Sequence, residues 1–131
     1  MDKQQLKTAI IIGTSRVTAS LEVYFFVEDG MRIAYCPSLN LSAYGKTLEK
    51  AKSEFSKILK EHLEYCISNQ TLAADLEKHG WTVRQKEYIA PLTTNMLRSN
   101  ATLRDIINNR SYKKAIVPAT FSRVSNCRAN A

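Results

Sequence analysis

The chain has 131 residues, of which 44% are hydrophobic and 24% are charged. This composition is typical of a globular domain and excludes global disorder. The longest apolar runs are much shorter than the roughly 20 residues that a membrane span requires, so we expect no membrane partner. The segment after Met1 does not resemble a secretory signal, and the three cysteines form no CxxC pair. We therefore expect a cytoplasmic protein with reduced thiols.

The formal net charge of +7 is carried entirely by the C-terminal part of the chain. Residues 1–81 contain equal numbers of basic and acidic side chains, whereas basic side chains strongly predominate in residues 82–131. Such asymmetry predicts an anionic partner, either nucleic acid or an acidic protein surface. We divide the chain into an α+β domain, residues 1–90, and a basic C-terminal extension, residues 91–131, with a short helix and a frayed end.

The first part of the chain has the pattern of an antiparallel β-meander. Strands are predicted at residues 7–13, 18–28, 31–36 and 39–45. Asp29 and Gly30 indicate a tight hairpin turn, since both central positions of such a turn need positive φ. Pro37 ends the strand before it, because proline cannot donate to the ladder.

A long helix is predicted to pack on this meander, which makes the fold class α+β. Thr47 is a suitable N-cap for a helix that continues to Ile67. Its apolar residues recur on one face: Leu48, Ala51, Phe55, Ile58, Leu59, Leu63 and Cys66. We expect a second helix from Thr71 to Gly80, a strand at residues 81–83, a helix at 102–108, and a short strand-like segment at 112–117 that stops at Pro118.

Two surfaces are candidates for binding. The strand at residues 18–28 has one apolar face, and its other face carries aromatic side chains that we expect a partner or a second copy to cover. The predicted partner-binding residues are Tyr24, Phe26, Tyr35 and Tyr44. Basic residues beside Tyr112 form the second candidate, because phosphates attract such clusters without base specificity. The predicted nucleic-acid-binding residues are Arg98, Arg104, Arg110, Lys113 and Lys114. The alternative to nucleic-acid binding is that this basic part of the chain is a solvated tail.

Three motifs have catalytic or ligand-binding alternatives. The segment NLSAYGKT, residues 40–47, comes close to a phosphate-binding loop, but Asn40 replaces the first glycine and a turn with an N-cap explains it better. The carboxylates considered as nuclease ligands are Glu28, Asp29, Glu49 and Glu54, and interspersed lysines argue against that role. His62 and Cys66 are four residues apart, but Cys36 and His79 look isolated, so no metal site or cofactor is expected.

Residues 23–55 resemble the antitoxin family called HicB. The matching features are Glu28-Asp29-Gly30, Ala34 with Pro37, Gly45, and Thr47 followed by Glu49 and Ala51. The resemblance implies a β-β-β-α-β domain, like a partial ribonuclease H fold without its catalytic acids, that binds and masks a small mRNA-cleaving toxin. Members usually also carry a DNA-binding module for operator DNA. Lys46 departs from the acidic residue that is usual there, and residues 91–131 show no clear module of this kind.

The sequence therefore favours a non-enzymatic, antitoxin-like protein that neutralises a small toxin or a similar protein partner and forms homo-oligomers. The alternative is a regulatory protein that binds DNA or RNA through its basic C-terminal extension.

Overall fold

The longest strand lies at the centre of the sheet in the computed structural model, which describes residues 8–13, 16–85 and 87–122. Some sequence features lie outside the described residues: Lys7 of the first predicted strand, the predicted frayed end with Cys127, and the basic residues Lys86, Arg123 and Arg128.

The described chain forms one antiparallel sheet with helices on both faces. Its strands are β1 (Ala9–Ile12), β2 (Arg16–Glu28), β3 (Met31–Cys36), β4 (Leu41–Gly45), β5 (Thr82–Val83), β6 (Glu87–Ile89) and β7 (Tyr112–Ser122). Its helices are α1 (Leu48–Ser68), α2 (Leu72–Lys78), α3 (Thr93–Met96) and α4 (Ala101–Asn109). The predicted α+β class, with a long helix packed on an antiparallel sheet, is confirmed. None of the helices in the described ranges has the length and apolarity to cross a bilayer.

β2 pairs with three other strands. Every residue of β7 pairs with β2. β1 and β3 pair with two different segments of β2. Ser20 of β2 lies between Ala9 of β1 and Pro118 of β7, and Tyr24 lies in the same way between β3 and β7. β1 and β3 therefore share one edge of β2, and β7 occupies the other. β4 continues the sheet beyond β3, and β6 and β5 continue it beyond β1.

The main core lies between α1 and the first face of the sheet. The helix contributes Ala51, Phe55, Leu59, Leu63 and Cys66, and β2 contributes Val17, Ala19, Leu21, Val23 and Phe25. Full burial of a side chain such as Leu59 contributes about 2 kcal/mol. Trp81 closes one end of this core, where its indole Nε1 donates a hydrogen bond of 2.7 Å to the carbonyl of Ser38. The predicted apolar stripe of the long helix is therefore the face that packs on the sheet.

The hairpin turn and the helix cap that the local sequence indicates form as predicted. Asp29 and Gly30 have φ values of 54° and 78°, as a hairpin turn with two left-handed central residues requires. The Thr47 hydroxyl accepts a hydrogen bond of 3.1 Å from the Lys50 amide and caps α1. The predicted hairpin and the predicted N-cap are both confirmed.

Longer-range features differ from the prediction. β4 begins at Leu41 rather than at residue 39, because residues 37–40 form a turn in which Asn40 has a φ of 56°. β7 does not stop at Pro118 but continues to Ser122. Proline is tolerated there because, among the described residues, β7 pairs with β2 alone, so the missing N–H can face the open edge. β6 and α3 were not predicted at all.

Candidate functional site

Around β2 and β3, the second face of the sheet is covered by the chain's own helix α4. Leu103 and Ile106 of α4 pack on Tyr24, Phe26 and Tyr35, which are only 1%, 8% and 6% exposed. We predicted that these three aromatic residues bind a partner, and the structure corrects this by placing them in a second core. The physical reason is that α4 is amphipathic and buries its own apolar face on the aromatic one.

The tyrosine hydroxyls of this second core have hydrogen-bond partners within the chain. The Tyr35 hydroxyl accepts from Asn100 Nδ2 at 2.9 Å and donates to Asn40 Oδ1 at 3.3 Å. Burial raises the pKa of Tyr35, and burial reinforced by the charge of Glu22 raises the pKa of Tyr24 to about 12. Both phenols are therefore protonated at neutral pH and have structural roles.

Glu22 is a half-buried carboxylate that the sequence analysis did not single out. Its Oε1 accepts from the Thr93 hydroxyl at 2.7 Å and from the Tyr24 hydroxyl at 3.5 Å, and its Oε2 lies 3.6 Å from Lys114 Nζ. Thr93 and Lys114 are more than 70 residues away in sequence, so no local spacing indicates this cluster. The cluster connects α3 and β7 to the second face of the sheet, beside a cavity of about 230 Å³.

Of the four predicted partner-binding residues, Tyr44 alone is on the surface. Its side chain is 61% exposed, and it pairs with the partly buried Ile33 of β3. β4, which carries Tyr44, has no strand neighbour other than β3 among the described residues, so its outer edge is open. An open edge next to an exposed aromatic side chain is suited to binding a protein.

Two of the predicted nucleic-acid-binding residues are engaged in ion pairs. Arg110 Nε lies 2.9 Å from Asp105 Oδ2, and Arg110 Nη2 lies 3.5 Å from Glu28 Oε1. Hydrogen bonds from Asn109 and Arg110 lower the pKa of Asp105. Lys114 is paired with Glu22 as described above. Neither cation is a free phosphate ligand in this arrangement.

The remaining three basic residues are exposed. Arg104 Nη1 donates to the carbonyls of Leu97 and Arg98, which holds the end of the α3 segment against α4. Arg98, Arg104 and Lys113 have no carboxylate within 4.0 Å in the described part of the chain. These three positions therefore keep unpaired positive charge on the surface.

The segment NLSAYGKT does not form a phosphate loop. Residues 41–45 form strand β4, and the Thr47 hydroxyl already accepts a hydrogen bond from the Lys50 amide. Gly45 lies so close to α1 that a Cβ there would come within 2.8 Å of the Ala51 nitrogen. The segment is thus the junction between β4 and α1, with no space for a phosphate at Gly45.

The acidic residues weighed as nuclease ligands, Glu28, Asp29, Glu49 and Glu54, form no potential metal-binding group among the described residues. Glu54 lies 3.3 Å from both Lys50 and Lys57, and hydrogen bonds from these lysines, that of Lys57 first, lower its pKa. This carboxylate is therefore a partner of surface lysines.

A different set of potential metal ligands meets between α1 and α2. His62 Nε2 lies 3.3 Å from Asp75 Oδ2 and 3.8 Å from Cys66 Sγ, and one ligand atom of each residue lies within 4.8 Å of the others. His79, which the sequence analysis treated as isolated, places its Nδ1 2.9 Å from the Asp75 carbonyl. The sequence does contain a signal, since His62 and Cys66 on α1 are spaced four apart, as are Asp75 on α2 and His79 at its C-cap.

A groove of about 810 Å³ runs between the 37–40 turn, the end of α2 and the segment before α4. Its polar lining includes Asn40, Lys78, Thr82, Asn95 and Asn100, and no carboxylate is among the lining residues. Amide and hydroxyl groups form hydrogen bonds with both main-chain and phosphate groups, and Lys78 adds one positive charge, so the lining does not identify one class of ligand.

The sequence and the structure were also compared with known proteins. No family model matches the chain, and no curated protein or solved structure is significantly similar to it.

Proposed function

We propose that this chain is a non-enzymatic binding protein of the antitoxin type, whose partner is a small mRNA-cleaving toxin. The observation that carries the proposal is the open edge of β4 with exposed Tyr44 beside the meander and helix that resemble HicB. The residues that carry the resemblance have defined positions in the part of the fold formed by β2, β3, β4 and α1. Gly30 is in the hairpin turn, Gly45 touches α1, and Thr47 caps that helix.

The partner-binding surface then lies at the edge of the sheet, on β4, and not on the aromatic residues of its face. Tyr44 projects from a strand that α1 supports on the other side, so its backbone is held in place before a partner arrives. Preorganisation of this kind lowers the entropic cost of association. An extended segment of the toxin would pair with β4, and Tyr44 would provide apolar contact area.

The experiment is co-expression of this chain with the product of an adjacent small reading frame. Toxicity would be measured as cleavage of a reporter mRNA in a cell-free translation reaction. We expect the chain to co-purify with that product and to restore translation. If it neither binds the product nor protects the mRNA, the antitoxin role is refuted.

A pair of matched variants tests the surface itself. Tyr44→Ala should weaken toxin binding by at least about 30-fold, the usual effect of removing a central aromatic anchor. Tyr65→Ala is the control, because Tyr65 is also highly exposed but lies on α1. Equal binding by the two variants would exclude the β4 edge as the binding surface.

Nucleic-acid binding by the basic C-terminal extension is the second candidate function. It is supported by the unpaired charges of Arg98, Arg104 and Lys113, whereas Arg110 and Lys114 are neutralised. An electrophoretic shift with duplex DNA at increasing salt tests it. Binding through three phosphates predicts a slope of log K against log salt of about −2.7, and the absence of a shift at low salt would exclude this function.

A further inference from the structure

We propose that His62, Cys66 and Asp75 form a binding site for a divalent zinc-like cation between α1 and α2. The three side chains offer one nitrogen, one sulfur and one oxygen ligand, all of which zinc accepts in proteins. No other group of three or more such side chains is found among the described residues. The site lies on the first face of the sheet and does not involve the β4 edge.

Two of the three distances between the ligand atoms fit a tetrahedral ion. With metal–ligand bonds of about 2.05 Å to nitrogen, 2.1 Å to oxygen and 2.3 Å to sulfur, tetrahedral geometry requires about 3.4 Å between nitrogen and oxygen and about 3.6 Å between nitrogen and sulfur. The His62 nitrogen lies 3.3 Å from the Asp75 oxygen and 3.8 Å from the Cys66 sulfur. The third separation, between Cys66 Sγ and an Asp75 carboxylate oxygen, is at most 4.8 Å. Tetrahedral geometry requires about 3.6 Å there, so these two atoms must come together if all three side chains are to bind one ion.

The backbone of both helices holds these ligands in place. His62 and Cys66 are four residues apart on α1 and so lie on one face of it. A tight turn, in which Gln70 has a φ of 58° and the Thr71 amide donates to the Cys66 carbonyl at 2.8 Å, folds α2 back towards that face. Asp75 then points at α1 from the neighbouring helix.

The surroundings of the cluster are those of an accessible site. The cluster lines a cavity of about 330 Å³. The His62 and Asp75 side chains are 25% and 21% exposed, and Cys66 is buried at the base. His79 Nδ1 donates to the Asp75 carbonyl, since a carbonyl oxygen only accepts, and this bond orients the ring beside Asp75. Three protein ligands leave the fourth position of the ion to water from the cavity.

The site gives the short helix α2 a stabilising connection. α2 has seven residues, too few for an isolated helix to be stable in water. An ion bridging Asp75 to His62 and Cys66 would fix α2 on α1, and with it the end of α2 that lines the groove of about 810 Å³. Lys78 also lines the cavity of about 330 Å³, and its positive charge should weaken cation binding there.

Cobalt(II) and zinc(II) titrations of the full chain test the proposal. Cobalt bound to Cys66 should give a thiolate-to-cobalt charge-transfer band that zinc abolishes by displacement. Cys66→Ser should remove the band, and His62→Gln and Asp75→Ala should each weaken zinc binding by more than about 100-fold, beyond the usual effect of losing an outer-shell partner. Lys78→Ala should tighten binding, which a merely structural role of the cluster does not predict.

Two controls make the result decisive. Cys36→Ser should keep the band, because the Cys36 thiol is buried and forms a hydrogen bond with the Ser38 hydroxyl, away from the cluster. Circular dichroism of each metal-free variant reports whether it folds. Should Cys66→Ser fail to fold, alkylation of the wild-type chain with and without zinc answers the question, since zinc should protect Cys66. A wild-type chain without a cobalt–thiolate band, or with Cys66 alkylated equally fast in zinc, overturns the proposal.

Discussion

The second core makes a direct prediction about Leu103. Leu103→Ala removes three carbon atoms from a side chain that is fully buried in α4. At about 0.8 kcal/mol for each buried methylene, the lost transfer free energy is roughly 2.4 kcal/mol, and the cavity left behind raises the total to about 3 kcal/mol. We expect the free energy of unfolding to fall by that amount.

Urea unfolding followed by far-ultraviolet circular dichroism measures this change. Thr102→Ala is the matched control, since Thr102 is the exposed neighbour on the same helix and its replacement should change stability by less than about 0.5 kcal/mol. Hydrogen exchange adds a local readout, because loosening of α4 should increase the exchange of amides near Tyr24 and Tyr35. If the two variants were equally stable, α4 would not be packed on the aromatic face and our correction of the partner-binding residues would be refuted.

Three further outcomes are expected. Trp81→Phe should destabilise the fold by about 1–3 kcal/mol in the same urea assay, because the buried carbonyl of Ser38 loses its 2.7 Å donor. Gly45→Ala should cost about 1–3 kcal/mol, measured as a lower urea midpoint, because its Cβ would lie 2.8 Å from the Ala51 nitrogen. The pKa of Tyr24 is raised from 10 in the unfolded chain to about 12 in the folded chain, so between these pH values Tyr24 is ionised only in the unfolded chain. The free energy of unfolding should therefore fall as pH rises from 10 to about 12, and it should fall less in Tyr24→Phe.

The local features of the fold were predictable because each depends on a few neighbouring residues. Thr47 caps α1 through an amide three residues away, and Asp29-Gly30 adopts the backbone that its composition favours. The apolar stripe of α1 likewise follows from a repeat within one helix. In each case the pattern that indicates the feature lies within one segment, although the stripe of α1 is stabilised by packing on the sheet.

The candidate sites were not predictable in the same way because their partners are distant in sequence. Phe26 was recognised as part of an apolar face, but nothing local shows that Leu103, 77 positions later, covers it. His62 was noted with Cys66, but Asp75 joins them only through the turn between two helices. Net charge was similarly a poor guide to the basic surface, since pairing with carboxylates depends on the tertiary fold.

Coverage of both sheet faces limits where a protein partner can bind. With α1 on one face and α4 on the other, extended backbone is available chiefly at the strand edges. The edge of β7 is long, but Pro118 removes a donor from the strand, and Lys113 places an exposed charge near one end. The edge of β4 has no proline and presents the exposed aromatic ring of Tyr44. A strand-pairing partner at β4 therefore loses no main-chain hydrogen bond to proline and gains contact with the Tyr44 ring, which is why the proposed toxin-binding surface lies there.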